Sequence, residues 1–359
     1  MAVQRAPIPM VDVSALFEGD ARQIAATAQA LGAAARGYGF LYVTGHRVPA
    51  ALYQQLLRTA QEFFALPLAE KMRVYIGNSR NHRGYVPEGE EGFEGGTLDA
   101  KEAYDCSRDL PADDPDYLAG NPLLGPNQWP ELAGFSSVVD AYYAAAFEFG
   151  RALLRGFALA LDQPADRFDA VLTKPPSQLR LIHYPHDPHA MDKPGIGAHT
   201  DYELFTLLRS TAPGLEVMNE SGVWIDAPPL PDAYVVNIGD MLELWTGGEF
   251  VATSHRVRKV SQERYSFPLF FTVDYHTRIA PMSRPRMADP AAGGRAQRDD
   301  PGERGSLIAG EHLYAQTART FRYLQARLSR GELSLPQGAA AQGTFGQQAR
   351  QRGSAGKTH

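Results

Sequence analysis

Three residues of this sequence have the types and the spacing to hold a metal ion. His199 and Asp201 are two positions apart, and His255 follows in a later segment. Two imidazoles and one carboxylate can occupy one face of a ferrous ion and leave the other face open for O2 and a cosubstrate. Side chains at i and i+2 of a strand share a face, so a strand end can present the first two ligands together. The pattern predicts a non-haem iron(II) centre at His199, Asp201 and His255.

A second motif, Arg264-Tyr-Ser266, leads directly into the apolar run Phe-Pro-Leu-Phe-Phe. On a strand the Arg and the Ser point to the same face, where together they can clamp a carboxylate. A guanidinium inside an apolar barrel must meet an anion. We therefore expect Arg264 and Ser266 to bind an anion such as a dicarboxylate cosubstrate; the alternative is an ordinary exposed strand arginine.

Other residues that could suggest chemistry have simpler interpretations. His183, His186 and His189 lie in a segment that two prolines break into turns, so their imidazoles need not converge, and we interpret them as non-ligands near the site. Cys106 has no local nucleophile signature, and we expect a buried, inert thiol.

The pattern of elements changes near Gln178. Before it, apolar residues recur at helical spacing, as in a helix with Asp20 as its cap and Gly37 as its end and in a long helix from about Val138 to Leu161. After it, short β-like runs separated by turn residues predict a sandwich or barrel. The absence of regular βα alternation and of a Gly-rich phosphate loop argues against a dinucleotide or P-loop fold.

Two further segments give structural expectations. The Gly- and Glu-rich stretch from Arg83 to Gly96 predicts a mobile, solvated surface loop, with a lid over a pocket as the alternative. A last helix is predicted from about Glu311 to Leu328.

Composition limits the partners. The chain has 359 residues, 44% of them hydrophobic, and a net charge of −6 without a basic block, which argues against nucleic acid or an anionic membrane as a partner. With Cys106 as its only cysteine it can form no intrachain disulfide, and it has neither an apolar signal core nor a membrane-length apolar run. We expect a soluble cytoplasmic protein that acts on a small molecule; the oligomeric state stays open.

Over nearly its full length the chain resembles the isopenicillin N synthase-like iron oxygenases, which include plant flavonoid, gibberellin and ethylene-forming enzymes. It looks most like bacterial members of that group. The resemblance is carried by Ile8-Pro-Met-Val-Asp-Val13, Gly37-Tyr-Gly-Phe-Leu-Tyr-Val-Thr-Gly-His46, Phe63-Phe-Ala-Leu-Pro-Leu-Ala-Glu-Lys-Met72, Arg83-Gly-Tyr-Val-Pro87, Gly125-Pro-Asn-Gln-Trp-Pro130, His199-Thr-Asp201, Val236-Asn-Ile-Gly-Asp240, Ser254-His-Arg-Val257 and Arg264-Tyr-Ser266.

The resemblance implies a mainly β fold, a distorted jelly roll (double-stranded β-helix) wrapped by N-terminal and C-terminal helices. It implies a division into a helical and mixed region at 1–175, the jelly-roll dioxygenase core at 176–285 and a loop and helix at 286–335. The Gly-, Gln- and Arg-rich residues 336–359 are predicted to be a disordered tail.

The resemblance also implies roles for single residues. Iron(II) would be bound by the triad named above, and Arg264 and Ser266 would bind the distal carboxylate of 2-oxoglutarate with help from Tyr184. Plant members often carry an Asn two positions before that Tyr, and here the position is Ile182. This departure removes or replaces one cosubstrate contact.

The implied reaction consumes O2 and 2-oxoglutarate, releases succinate and CO2, and hydroxylates or desaturates a small molecule. Two alternatives stay open at this point. One is an oxidase of the same fold that does not use 2-oxoglutarate, as in isopenicillin N synthase and aminocyclopropane-carboxylate oxidase. The other is a metal- and ligand-binding module without turnover.

Overall fold

The computed structural model describes residues 8–92, 101–187, 194–219, 221–258, 261–282 and 305–336. Apart from residue 336, the tail predicted to be disordered lies outside these ranges, as does His189. The fourteen strands of the described residues are β1 Met10–Asp12, β2 Phe40–Thr44, β3 Gly84–Val86, β4 Glu102–Cys106, β5 Gln178–Tyr184, β6 Pro194–His199, β7 Phe205–Ser210, β8 Leu215–Met218, β9 Trp224–Asp226, β10 Tyr234–Ile238, β11 His255–Arg258, β12 Arg264–Phe271, β13 Arg278–Ile279 and β14 Leu307–Ile308.

Two sheets form the core around the site. The larger one joins strands from both halves of the chain in the order β1-β2-β10-β7-β12-β5-β4-β3, and the smaller one has the order β6-β11-β8-β9. Strand β12 lies antiparallel between β5 and β7, and all but one of its eight residues are buried. A buried, aromatic-rich run of this kind favours a central strand. The predicted strand-rich core after Gln178 is confirmed.

Helices cover the sheets. Their bounds in the described residues are α1 Ala15–Glu18, α2 Ala21–Gly37, α3 Ala50–Phe64, α4 Leu68–Lys71, α5 Pro115–Leu118, α6 Phe135–Ala160, α7 Asp240–Trp245, α8 Ala309–Thr320 and α9 Arg322–Ser329. Helix α2 begins with the cap that its sequence predicts, because Asp20 accepts from the Gln23 N–H and the Gln23 side chain accepts from the Asp20 N–H. Helix α6 packs on α2, α3 and β12.

The prediction of a surface loop at 83–96 is wrong at its beginning. Residues 83–86 are buried, and 84–86 form β3, which pairs with β4. The Arg83 guanidinium is 1% exposed and donates hydrogen bonds to the carbonyls of His82 and Leu123 at 2.8 and 2.5 Å. Backbone carbonyls inside the fold therefore accept from two nitrogens of a side chain that the sequence placed in a solvated loop.

The last helix also differs from its prediction. It is broken at Phe321, whose extended backbone (φ −97°, ψ 124°) separates α8 from α9. Phe321 forms a β-bridge with Glu91, so a contact with a distant segment overrides the local helical pattern. No described helix combines the length and the apolar character required to cross a membrane.

Candidate active site

The structure brings His199, Asp201 and His255 together. Their ligand atoms all lie within 4.8 Å of one another, the only such group of three or more among the described residues. His199 ends β6 and lies directly opposite His255 of β11 in the antiparallel register, and Asp201 follows just past the end of β6. The Nε2 atoms of the two histidines are 3.5 and 3.4 Å from Asp201 Oδ1. Two nitrogens and one oxygen thus converge on one point, as the spacing predicted.

Neighbouring groups orient each of these side chains. The Nδ1–H of His199 donates to the Gly197 carbonyl at 2.8 Å, and the Nδ1–H of His255 donates to the Thr253 carbonyl at 3.2 Å. These bonds fix the tautomer that leaves the Nε2 lone pair available to a metal.

Asp201 is fixed through its other oxygen. Its Oδ2 accepts hydrogen bonds from Thr206 Oγ1 and, at 2.7 Å, from Asn237 Nδ2. With Oδ2 occupied, Oδ1 is the oxygen that faces the two imidazoles, which suits a monodentate carboxylate ligand. Sequence reasoning missed both donors; the signal was a lone Asn in the apolar strand Tyr-Val-Val-Asn-Ile, since a buried amide must find a partner.

The electrostatics agree with this arrangement. Burial alone would raise the pKa of the Asp201 carboxyl, but the two imidazoles hold that pKa well below its usual value. Burial would likewise lower the pKa of His199, yet the neighbouring Asp201 carboxylate raises it. Positive charge next to the Asp201 carboxylate is therefore strongly stabilised in this cluster, and a divalent cation would supply that charge.

The predicted anion clamp also has its parts side by side. Arg264 lies opposite Tyr184 in the β12–β5 register, with its guanidinium carbon 4.9 Å from the ring centre, and Ser266 lies opposite Ile182. Arg264 is 1% exposed, and its Nε donates to the Ala212 carbonyl at 3.1 Å. Its two terminal nitrogens are buried without a hydrogen-bond partner in the described ranges.

A buried guanidinium with two unused nitrogens is costly unless an anion binds there. Burial lowers the pKa of the Arg264 side chain, and the nearby Tyr184 hydroxyl opposes that shift. The Arg264 side chain lines the cavity, where its guanidinium fork can bind a carboxylate in the bidentate geometry that Arg prefers.

One cavity of about 150 Å³ contains both groups. Its lining includes the six residues that the sequence singled out: Tyr184, His199, Asp201, His255, Arg264 and Ser266. Glu203 borders the same cavity, and burial together with Asp201 raises the pKa of its carboxyl to about 8. A molecule in this space can therefore reach the metal centre and the clamp at the same time.

His183 and Cys106, to which the sequence assigns no role in the site, lie away from the metal triad. His183 points to the opposite face of β5, where its two nitrogens bind Glu102 at 2.8 Å and Glu263 at 2.9 Å. Cys106 is 1% exposed in β4, and burial raises the pKa of its thiol well above the usual value. A thiol held in the protonated state is a poor nucleophile, in line with the expectation.

Comparison with known proteins identifies the family. The sequence profile of the 2OG-Fe(II) oxygenase superfamily matches residues 175–273, and a profile described as non-haem dioxygenase in morphine synthesis N-terminal matches residues 8–132. A 2-oxoglutarate-Fe(II) type oxidoreductase of Emericella nidulans is 35% identical over 275 residues, which cover 74% of this chain and 79% of that one. The chain belongs to the 2OG-Fe(II) oxygenase superfamily.

Two further proteins match this oxygenase over nearly their full length. A homoarginine-6-hydroxylase of Oryza sativa subsp. japonica is 33% identical over 333 residues, with 88% of this chain and 97% of that one covered. The crystal structure of a full-length Neurospora crassa protein in complex with alpha-KG and thymine superposes with a TM-score of 0.70 at 25% identity, covering 90% of this chain and 97% of that one.

These findings confirm the predicted jelly-roll fold and the predicted chemistry. The protein is an iron(II)- and 2-oxoglutarate-dependent oxygenase that uses O2. The names of the relatives support the 2-oxoglutarate-dependent reaction over the two alternatives that the sequence left open.

Proposed function

We propose that His199, Asp201 and His255 are the iron ligands of this oxygenase, and that Arg264, Ser266 and Tyr184 hold the distal carboxylate of 2-oxoglutarate. The observation that supports both assignments is that the three candidate ligands and the buried Arg264 guanidinium line the same cavity. The Nε2 atoms of both histidines face the Oδ1 atom of Asp201, an arrangement that suits a facial triad.

Each group of residues has a separate task in this proposal. Bound iron supplies the activation of O2 and the oxidation of a C–H bond, coupled to the conversion of 2-oxoglutarate into succinate and CO2. The triad would bind the metal through two imidazole nitrogens and one carboxylate oxygen. Arg264 anchors the far end of the cosubstrate and so fixes its orientation, while the apolar walls at Ile182, Ile196 and Leu208 keep water from the reacting atoms.

We propose further that the substrate is a small polar molecule that is hydroxylated or desaturated. Two of the similar proteins point to such molecules: homoarginine for the rice hydroxylase and thymine for the Neurospora crassa structure. In this chain, Glu203, Thr317 and Thr320 give the same cavity a polar side that can hydrogen-bond to a small polar molecule.

A substrate screen tests this function. Iron(II)-loaded protein is incubated in air with 2-oxoglutarate and members of three sets: amino acids, nucleobases and aromatic metabolites. We expect one set to stimulate succinate release and to yield an oxidised product. The proposal would be contradicted if none of the sets stimulated succinate release and an oxidised product formed without 2-oxoglutarate.

Finer assignments from the sequence remain our proposals. The motifs favour the isopenicillin N synthase-like group, although the two sequence relatives described above are fungal and plant proteins rather than bacterial ones. The four-part division at 175, 285 and 335 stays a prediction. So do the cytoplasmic location and the absence of nucleic-acid or membrane partners, which rest on the charge of −6 and the single cysteine.

A further inference from the structure

Four charged side chains form a cluster beside the cavity, three of them in its lining, and have no part in the proposed chemistry. They are Glu91, Lys101, Asp105 and Arg180, and none of their side chains is more than 14% exposed. Arg180 Nε and Nη2 donate to the two Asp105 oxygens at 2.6 and 2.7 Å, and Nη1 donates to Glu91 at 2.7 Å. Lys101 Nζ donates to the same Glu91 carboxylate at 2.6 Å.

Glu91 does more in this group than balance charge. Asp105 and Arg180 are direct cross-strand partners on β4 and β5, so their ion pair belongs to the sheet itself. Glu91 comes from outside the sheet, from the segment after β3. Its ion pairs therefore connect that segment to β5, the strand that also carries Tyr184 four residues further on.

The same segment is attached to the break between α8 and α9. The Gly92 N–H donates to the Thr320 carbonyl at 3.0 Å, and the Arg322 N–H donates to the Glu90 carbonyl at 3.0 Å. The Tyr323 N–H donates to Glu90 Oε1 at 2.8 Å. We call residues 88–92 together with 320–323 the roof.

The roof borders the reaction space. Glu91, Gly92, Thr320 and Phe321 line the cavity that contains the metal triad. Phe321 is 2% exposed and lies under the Arg180 guanidinium, 5.5 Å from its carbon to the ring centre. Displacement of Glu91 would thus release one edge of the roof. It would also remove a carboxylate from the buried cations of Arg180 and Lys101.

We propose that Glu91 is a positioning residue that holds the roof closed over the reaction chamber through its ion pairs with Arg180 and Lys101. This inference rests on the proposed function, because it assigns the roof a purpose in oxygenase turnover. A closed roof excludes water from the reacting atoms and limits how fast small molecules enter and leave.

The test compares Glu91→Gln with Glu88→Gln, the same substitution at an exposed position of the same segment. Hydrogen exchange is measured at the amides of Gly92, Arg322 and Tyr323. Since removal of one partner leaves buried charge uncompensated, we expect these amides to exchange at least about ten-fold faster in the Glu91 variant, with amides of β12 unchanged.

A second readout uses 2-oxoglutarate as the probe, without turnover. Under anaerobic conditions its association with and dissociation from the iron(II) protein are followed by stopped-flow absorption. Both rates are expected to rise by about five-fold in the Glu91 variant, so that the Kd changes little, because a gate alters rates rather than equilibrium. Exchange or binding rates equal to those of Glu88→Gln would overturn the inference.

If Glu91→Gln does not fold, Lys101→Met decides the question. It removes one cation and leaves the Glu91–Arg180 pair, so a smaller acceleration of exchange at the same three amides is expected; wild-type exchange rates would overturn the inference. Failure of the proposed function is distinguishable, because wild-type protein would then bind no 2-oxoglutarate while exchange still reports on the roof.

Discussion

At the scale of single residues, the centre depends on which nitrogen of each imidazole is available to a metal. Backbone carbonyls of Gly197 and Thr253 hold the Nδ1–H groups, which leaves Nε2 for the metal in both histidines. A facial triad has no ligand to spare, so loss of any one imidazole removes a third of the coordination that the protein provides.

The first prediction concerns His255. His255→Ala should abolish stoichiometric iron(II) binding and iron-dependent activity, while the fold survives because the residue lies at a cavity. Bound iron and the circular dichroism spectrum are measured together, and His183→Ala, away from the triad, is the control for a lost imidazole. Wild-type iron content in the His255 variant would remove it from the triad.

The second prediction concerns the clamp. Arg264→Ala should raise the 2-oxoglutarate concentration needed for half-maximal turnover by on the order of 30-fold, or about 2 kcal/mol, since truncating a buried charge pair costs at least that much. Iron content should be nearly unchanged. Arg58→Ala, at an exposed position of α3, is the matched control. An unchanged requirement would refute the clamp assignment.

The third prediction concerns the hydrogen bond from Asn237 to Asp201, 2.7 Å long. Asn237→Ala should weaken iron(II) affinity by about 10- to 100-fold, the usual cost of losing a group that orients a metal ligand. Competition with a chelator of known affinity measures the change. Affinity equal to that of wild type would show that Thr206 alone suffices.

At the scale of elements, the turn after β6 is shaped by close packing against the start of α7. The Asp240 N–H donates to the Asp201 carbonyl at 2.8 Å, and the Gly239 N–H donates to the Leu204 carbonyl at 2.9 Å. A Cβ on Gly239 would overlap the carbonyl oxygen of Glu203. The missing side chain at Gly239 thus lets α7 approach the backbone that carries the carboxylate ligand.

The fourth prediction follows from this contact. Gly239→Ala should move the Asp201 turn and lower both iron affinity and the free energy of unfolding, the latter by about 1–3 kcal/mol, as for overpacking. Gly37→Ala is the control, because a Cβ there meets no atom within 4 Å. Chemical denaturation and iron titration of both variants are the measurements, and equal behaviour of the two would contradict the packing argument.

The elements also show what sequence can and cannot predict. Short β-like runs separated by turn residues predicted the strand-rich core after Gln178, and residue types with their spacing predicted the triad, because both are local properties. The broken last helix and the buried start of the 83–96 segment were missed because the contacts that determine them, such as the bridge between Glu91 and Phe321, join positions far apart in sequence. The donors to Asp201 were missed for the same reason, since only the folded sheet brings Asn237 to that carboxylate.

At the scale of the whole molecule, stability should fall in mild acid. Burial lowers the pKa of His312 in α8 from 6.5 to about 4. As pH falls the unfolded chain takes up this proton before the folded protein does, so the contribution is present above pH 6.5 and is lost toward pH 4.

The fifth prediction quantifies this loss. Between about pH 7 and pH 5, His312 alone should reduce the free energy of unfolding by about 2 kcal/mol. His312→Gln should remove that part of the pH dependence, whereas His276→Gln, at an exposed position, should leave it intact. Denaturation of the three proteins at both pH values measures the effect, and equal slopes in all three would contradict the assignment.

The most direct test of the whole account is an anaerobic titration of the iron(II)-loaded protein with 2-oxoglutarate, followed by the visible absorption of the iron–keto acid complex. We predict a saturating band at one equivalent in wild type, no band in His255→Ala, and the same band in Arg264→Ala only at much higher concentration. A wild-type protein without the band, or a band that neither substitution alters, would contradict the claim that one cavity holds the metal and the cosubstrate.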